Sequence, residues 1–266
     1  MDQETSALTD AQVSAYLERI GLEAGVQGEQ PSKDGLARII EAHQNFVPFE
    51  TIDLVQTGTR PDLSVDGLYK KVVEDAHGGY CFELNRFFRE LLLALGYKTR
   101  PALARPVMGG DSRAINHRGE LVELDGVLNY VDVGFGGPSS TVPVALVDGQ
   151  ETFDGRTHFV ACDEGESWWR LDRVRDDGSS QTELMVCTTP VEDKDFDLLN
   201  AAMSLPGMLF RETQIANIRT PEGHISYRAG VLKIIQNGEL SETRIGSDEE
   251  RDAFLEERMG FVPYAG

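Results

Sequence analysis

Apolar positions recur at helical spacing in the first third of the chain and alternate in short runs after it. In LTDAQVSAYLERIGL, Leu8 and Val13 precede Tyr16, Leu17 and Ile20 on one face, with Thr9 or Asp10 as the N-cap. SKDGLARIIEAHQNF repeats the period through Leu36, Ile39, Ile40 and His43 and stops before Pro48, which disfavours helix at the residue preceding it. SVDGLYKKVVEDA carries Leu68, Val72 and Val73 and ends at Gly78. CFELNRFFRELLLAL gathers Leu84, Phe87, Phe88, Leu91, Leu92 and Leu95 into one broad stripe closed by Gly96. Four helices of this kind predict a compact bundle.

Beyond Gly96 the β-branched runs are broken by Asp-Gly at 125–126, 148–149, 154–155 and 177–178. Asp-Gly is hairpin punctuation, and its recurrence predicts a barrel or sandwich through about residue 190. EDKDFDLLNAAM reads as a polar helix, FRETQIANIRT through VLKIIQNGELSETRI as further hairpins, and SDEERDAFLEERMG as a closing helix. The expected class is α+β. The expected division is a helical bundle over 1–96, an antiparallel β-barrel over 97–205 and an α/β lid over 206–266.

Composition narrows the setting. With 266 residues, 40% hydrophobic and 26% charged, the chain has the makeup of a soluble globular protein of one large domain or two to three lobes. No apolar run approaches the length of a bilayer span. MDQETSALTD lacks the basic and apolar regions of a secretory signal. Three cysteines without a CxxC pair predict neither a disulfide framework nor a metal knuckle, and a reducing cytoplasm is the expected location. A net charge of −20 argues against a nucleic-acid partner, since phosphate backbones need a basic surface.

One cysteine is placed differently from the others. Cys81 follows Gly78-Gly79 at the first turn of a predicted helix, where partial positive charge favours a thiolate. Cys162 and Cys187 sit in strand-like runs and read as packing. If Asp125-Gly126 is a two-residue turn, Leu124 faces Val127, and the register carries His117 opposite Gly134 with Asp132 diagonal to it on the same face. Cys81, His117 and Asp132 are therefore a candidate nucleophile, base and orienting carboxylate. From spacing alone a lone cysteine such as Cys81 is more often a small buried hydrophobe than a nucleophile. His158 and Asp172 form a rival pair, but a two-residue turn in their hairpin would place them on opposite faces unless a bulge intervened. His43 and His77 read as structural and His224 as solvated.

HGGYCFELN resembles the R-G-G-Y-C-F-E-L-N signature of the arylamine N-acetyltransferases. HQNFVPFETID is similar to that family's H-x-x-x-[IV]-P-F-E-N-[IL]-D segment, and VDVGFGGPSS to its V-D-V-G-F-G-G-P segment, in the same order. The resemblance extends to the third lobe. It implies a bundle, barrel and lid around a thiol-protease-like core, with Cys81, His117 and Asp132 as the triad. It also implies a ping-pong reaction, in which Cys81 takes acetyl from acetyl-coenzyme A and passes it to an arylamine, arylhydrazine or heterocyclic amine. No permanently bound cofactor and no membrane partner are implied. By family position Phe49 and Phe135 would line the acceptor pocket. The loop holding Gly136, Gly137 and Ser139 would offer backbone N–H groups to the donor's phosphates.

Departures carry their own expectations. His77 stands where the family has arginine, so Glu50 is expected beside a histidine. Arg118-Gly119-Glu120 replaces an apolar run and is expected to reshape the acceptor pocket or the strand. Three competing readings remain: an amide synthase of the same superfamily acting on a larger acyl chain, a thiol hydrolase, and a non-catalytic binder of aromatic ligands.

Overall fold

The computed structural model describes residues 5–108, 111–112, 114–175 and 177–265. Helices α1 (Asp10–Arg19) and α2 (Lys33–Phe46) lead to a two-residue strand β1 (Phe49–Glu50) and a short α3 (Ile52–Thr57). α4 (Val65–Tyr69) runs into a π-helical turn over Lys70–Glu74, and α5 (Cys81–Ala94) completes the bundle. Local chemistry sets these bounds. Thr9 and Gln12 form a capping box on α1, Ser32 and Ser64 cap α2 and α4, and Gly96 leaves α5 with φ +83°.

The barrel is built from β2 (Lys98–Met108), β3 (Asp111–Ser112), β4 (His117–Leu124), β5 (Val127–Val131), β6 (Val144–Ala145), β7 (Gln150–Phe153), β8 (His158–Gly165), β9 (Trp168–Val174) and β10 (Ser180–Cys187). Its order is β6-β5-β4-β2-β10-β9-β8-β7, all antiparallel, and β6 comes back against β7 and β8 so that the sheet nearly closes. Asp125 and Gly126 both take positive φ, as a primed two-residue turn requires, and Leu124 faces Val127 as expected. Ala102, Ala104, Leu121, Leu171, Leu184 and Val186 fill the interior.

α6 (Asp195–Met203) and α7 (Leu209–Glu212) lead to the lid strands β11 (Ile215–Thr220), β12 (Gly223–Arg228), β13 (Val231–Gln236) and β14 (Glu239–Arg244), closed by α8 (Asp248–Met259). β1 joins this meander as its first strand, pairing Phe49 with Asn217 and Glu50 with Ala216. Phe49 also bridges to Gly79, so the lid sheet is stitched through β1 to the segment just ahead of Cys81. No helix among the described residues is long and apolar enough to cross a membrane.

Candidate active site

Cys81 is the first residue of α5 and is 2% exposed. The glycines before it permit a close backbone approach: a Cβ on Gly78 would lie 2.0 Å from the Pro48 carbonyl oxygen. Glu83 accepts from the Tyr80 backbone N–H at 3.0 Å, fixing the entry of the chain into the helix. The Cys81 Sγ points toward the Asn116 carbonyl at 3.9 Å, beside the start of β4.

The β4–β5 register brings His117 and Asp132 together. His117 Nε2 and Asp132 Oδ2 are 2.5 Å apart, which leaves Nδ1 for the sulfur of Cys81. Asp132 is fully engaged: Oδ2 also accepts from the Tyr130 hydroxyl at 2.7 Å, and Oδ1 accepts from Asn85 Nδ2 and from the Gly134 N–H, each at 2.9 Å. Burial alone would raise Asp132, but the His117 charge and the hydrogen bonds from His117, Asn85 and Tyr130 hold it below the ordinary carboxylate range. Burial alone would lower His117. The Asp132 charge overrides it, followed by the charge and hydrogen bonding of Cys81 and the Asp132 hydrogen bond, and the imidazole is held up to about 10. An imidazole so basic is the acceptor for the proton of the sulfur that faces it. Gly134 matters sterically, since a Cβ there would lie 2.9 Å from the Cys81 Cα.

Asn85, Tyr130 and Gly134 complete the site although sequence reasoning gave them no role. Asn85 lies one turn after Cys81, and Tyr130 shares a strand face with Asp132, so spacing carried a signal for both.

The expectation for Glu50 is corrected, and the charges that follow His117 turn away from the pocket. Glu50 does not pair with His77. Lys71, on the π-helical turn, places Nζ 2.9 Å from Glu50, 2.9 Å from Glu83 and 3.6 Å from Asp53, while His77 Nδ1 lies 2.7 Å from Asp53 and its ring stacks on Tyr264. Burial pushes Glu50 up to about 7 against the pull of Lys71. Burial also opposes the charge on Lys71, but the surrounding carboxylates, Glu50 foremost, hold the ammonium well above its ordinary value. The two shifts pull the Glu50–Lys71 pair in opposite senses. With three carboxylates around one ammonium, Lys71 remains cationic and Glu50 takes up a proton near neutrality.

Arg118 and Glu120 do not line the pocket either. Strand alternation turns them toward α5, where Arg118 Nη2 lies 2.8 Å from Glu120 and 2.7 Å from Asp193, and its guanidinium sits 4.7 Å from the Phe196 ring centroid. The rival pair fails for a different reason. A bulge near Asp163 moves the register so that Asp172 faces Val160 and His158 faces Val174, which brings both to one face. However, His158 bonds Glu151 and Asp172 accepts from Thr182, with no thiol in either set. His43 is buried in the bundle and pushed down to about 3, chiefly by burial.

Cys81 and His117 open into a cavity of about 1110 Å³ that Phe49, Phe135, Gly136 and Gly137 also line. The Phe135 ring meets His117 edge-on at 5.4 Å. Ser139 is not in this lining; its hydroxyl donates to the Asp132 carbonyl at 3.0 Å, so it braces the loop rather than facing the cavity.

A family model described as N-acetyltransferase matches residues 34–262. The arylamine N-acetyltransferase of Mycolicibacterium smegmatis is 34% identical over 242 residues, 88% of this chain and 86% of that one. Proansamycin X synthase of Amycolatopsis mediterranei is 34% identical over 170 residues, 60% of this chain and 62% of that protein. The solved structure of Mycobacterium marinum arylamine N-acetyltransferase in complex with CoA aligns with a TM-score of 0.84 at 26% identity, covering 94% of this chain and 92% of that one. With the match running from α2 through the lid and past α8, the chain belongs to the arylamine N-acetyltransferase family.

Proposed function

We propose that the protein transfers an acetyl group from acetyl-coenzyme A, through a thioester on Cys81, to the nitrogen of an arylamine, arylhydrazine or heterocyclic amine. The supporting observation is a helix-start sulfur beside an imidazole whose far nitrogen is held by a fully hydrogen-bonded carboxylate. The Cys81 sulfur attacks the acetyl carbonyl carbon, its proton passing to His117. The tetrahedral adduct collapses, breaking the bond to coenzyme A, whose sulfur takes that proton back from His117. The amine nitrogen then attacks the Cys81 thioester; His117 accepts the nitrogen's proton and returns it to the departing Cys81 sulfur. An arylamine lone pair is a weak nucleophile, and a thioester intermediate splits one difficult transfer into two easier ones. Phe49 and Phe135 offer the acceptor ring an apolar surface, and the Gly136-Gly137 backbone lies where the donor can reach it.

Incubation with acetyl-coenzyme A and a hydrazine or aminobenzoate, with free thiol followed in time, tests the reaction. Cys81→Ser should abolish release while preserving the fold, and retained turnover would reject the covalent route. A second reading, an amide synthase acting on a larger acyl chain, is favoured by the cavity volume and by the similarity to proansamycin X synthase. Alkylation of Cys81 without any turnover of acetyl-coenzyme A would favour this reading, or the thiol hydrolase, over acetyl transfer.

A further inference from the structure

The cavity has two faces of opposite chemistry. Phe49, Phe135, Met203, Met208 and Phe210 make an apolar side. The lid sheet makes a polar one. Ile225, Tyr227 and Leu232 pack with Leu255 and Met259 of α8, so the alternate residues Ser226, Arg228 and Lys233 face the cavity. From the barrel side Arg173 on β9 enters the same space. Its Nε donates to the buried Glu183 at 2.7 Å, and among the described residues no hydrogen bond occupies Nη1 or Nη2. The guanidinium is therefore oriented by a fixed carboxylate with its terminal nitrogens unspent. Lys233 is paired with Glu242 at 3.1 Å, and Arg228 has no carboxylate partner among the described residues. Three cations against two carboxylates, both already paired, leave this wall positive in a chain of net charge −20. An anion entering against that overall field needs such a local reversal of sign.

We propose, on the basis of the acetyl-transfer reading, that Arg173, Arg228 and Lys233 form an anion-binding subsite for an oxyanion group carried by a substrate, either the donor's phosphates or a carboxylate on the aromatic amine. Glu183 positions the Arg173 fork for bidentate contact.

Arg228→Gln tests the lid side. The double variant Arg173→Gln/Glu183→Gln tests the barrel side without stranding a buried carboxylate. Two selectivity ratios in kcat/KM are read on the full chain: acetyl-coenzyme A over the uncharged S-acetyl-N-acetylcysteamine, and 4-aminobenzoate over the uncharged 4-anisidine. Loss of one charged hydrogen-bonding group should lower one ratio about tenfold. A fall in the donor ratio assigns the phosphates, and a fall in the acceptor ratio assigns the carboxylate. Both ratios unchanged, including a parallel fall for all four substrates, would overturn the subsite. Calorimetric binding of coenzyme A and of benzoate requires no turnover. If the protein does not transfer acetyl, the functional reading fails while the subsite is still judged. About tenfold weaker binding of either anion to the variants supports it, and equal binding or none overturns it.

Discussion

Asp132→Asn isolates what the carboxylate does for the imidazole. All four partners of Asp132 are donors in the native arrangement: Asn85 and Gly134 on Oδ1, His117 and Tyr130 on Oδ2. An amide offers one oxygen where the carboxylate offers two. With that oxygen kept toward Asn85 and Gly134, the NH2 replaces Oδ2 and meets the Nε2–H of His117. The Tyr130 hydroxyl can rotate to accept, but the imidazole must surrender its Nε2 proton and carry one on Nδ1 instead. Nδ1 is where the proton of Cys81 has to go, so the ring is locked in the wrong tautomer. In a serine triad the same inversion costs about 10⁴ in rate, or about 5.4 kcal/mol at 1.36 kcal/mol per tenfold. Asp132 also supplies the largest upward push on His117, so the variant imidazole should titrate far below about 10. Steady-state acetyl transfer measures the first effect and nitrogen-15 chemical shifts of the ring the second. A variant within tenfold of the parent in kcat/KM, or a ring still protonated at pH 8, would refute this account.

Lys71→Met removes the ammonium shared by Glu50, Glu83 and Asp53 and should cost about 3–5 kcal/mol, roughly 10 °C in Tm, because buried carboxylates are left uncompensated. Thermal melts check it, and adding Glu50→Gln should recover part of the loss. Arg118→Met should destabilise by a similar amount through Glu120 and Asp193. Adding Glu120→Met should restore Tm but not kcat/KM, and a double variant restored in both would show that the pair only balances charge. For pH, a folded-state pKa of His117 at about 10, above the unfolded 6.5, means stability fully present below 6.5 and lost as pH rises through 10. The proton that His117 holds is the one the facing sulfur gives up, so the gain cancels until the unfolded chain's thiol would itself ionise, at about 8.5. Melts should therefore fall from there toward pH 10, and a flat Tm across that upper window would contradict the shift.

The bundle, the barrel and the placement of the candidate triad were legible because each rests on a local rule. The Asp125-Gly126 turn set the strand parity of His117 and Asp132, and the glycines before Cys81 set its approach. The buried ion partners were not legible. Nothing in SVDGLYKKVVEDA announces a π-helical turn, and without it Lys71 would not be aimed at Glu50, so substitution of the expected arginine by His77 pointed to the wrong partner. Arg118 and Glu120 were visible as charges, and their face followed from the same alternation that placed His117. What the sequence concealed was the far side: Asp193, which lies 75 residues beyond Arg118 in the chain and just ahead of α6.

Those charges bear on how the site is assembled. α5 carries Cys81 and Asn85 toward the barrel, and one turn on it carries Arg86, Arg89 and Glu90. Asp193 lies 3.4 Å from Arg86, 3.2 Å from Arg89 and 2.7 Å from Arg118, so one carboxylate ties the helix and β4 to the segment leading into α6. Apolar side chains of similar volume would hold these surfaces together about as strongly, because desolvation offsets most of the attraction between buried charges. An apolar contact, however, tolerates sliding, whereas a fork of N–H donors on a carboxylate has one good geometry. His117 is joined by a single peptide bond to Arg118, and the Arg118 carbonyl accepts from Asn85 at 2.6 Å. The distance from imidazole to sulfur is therefore set from both sides of β4, by Asp132 on the face of the candidate site and by the arginine network on the face packed against α5.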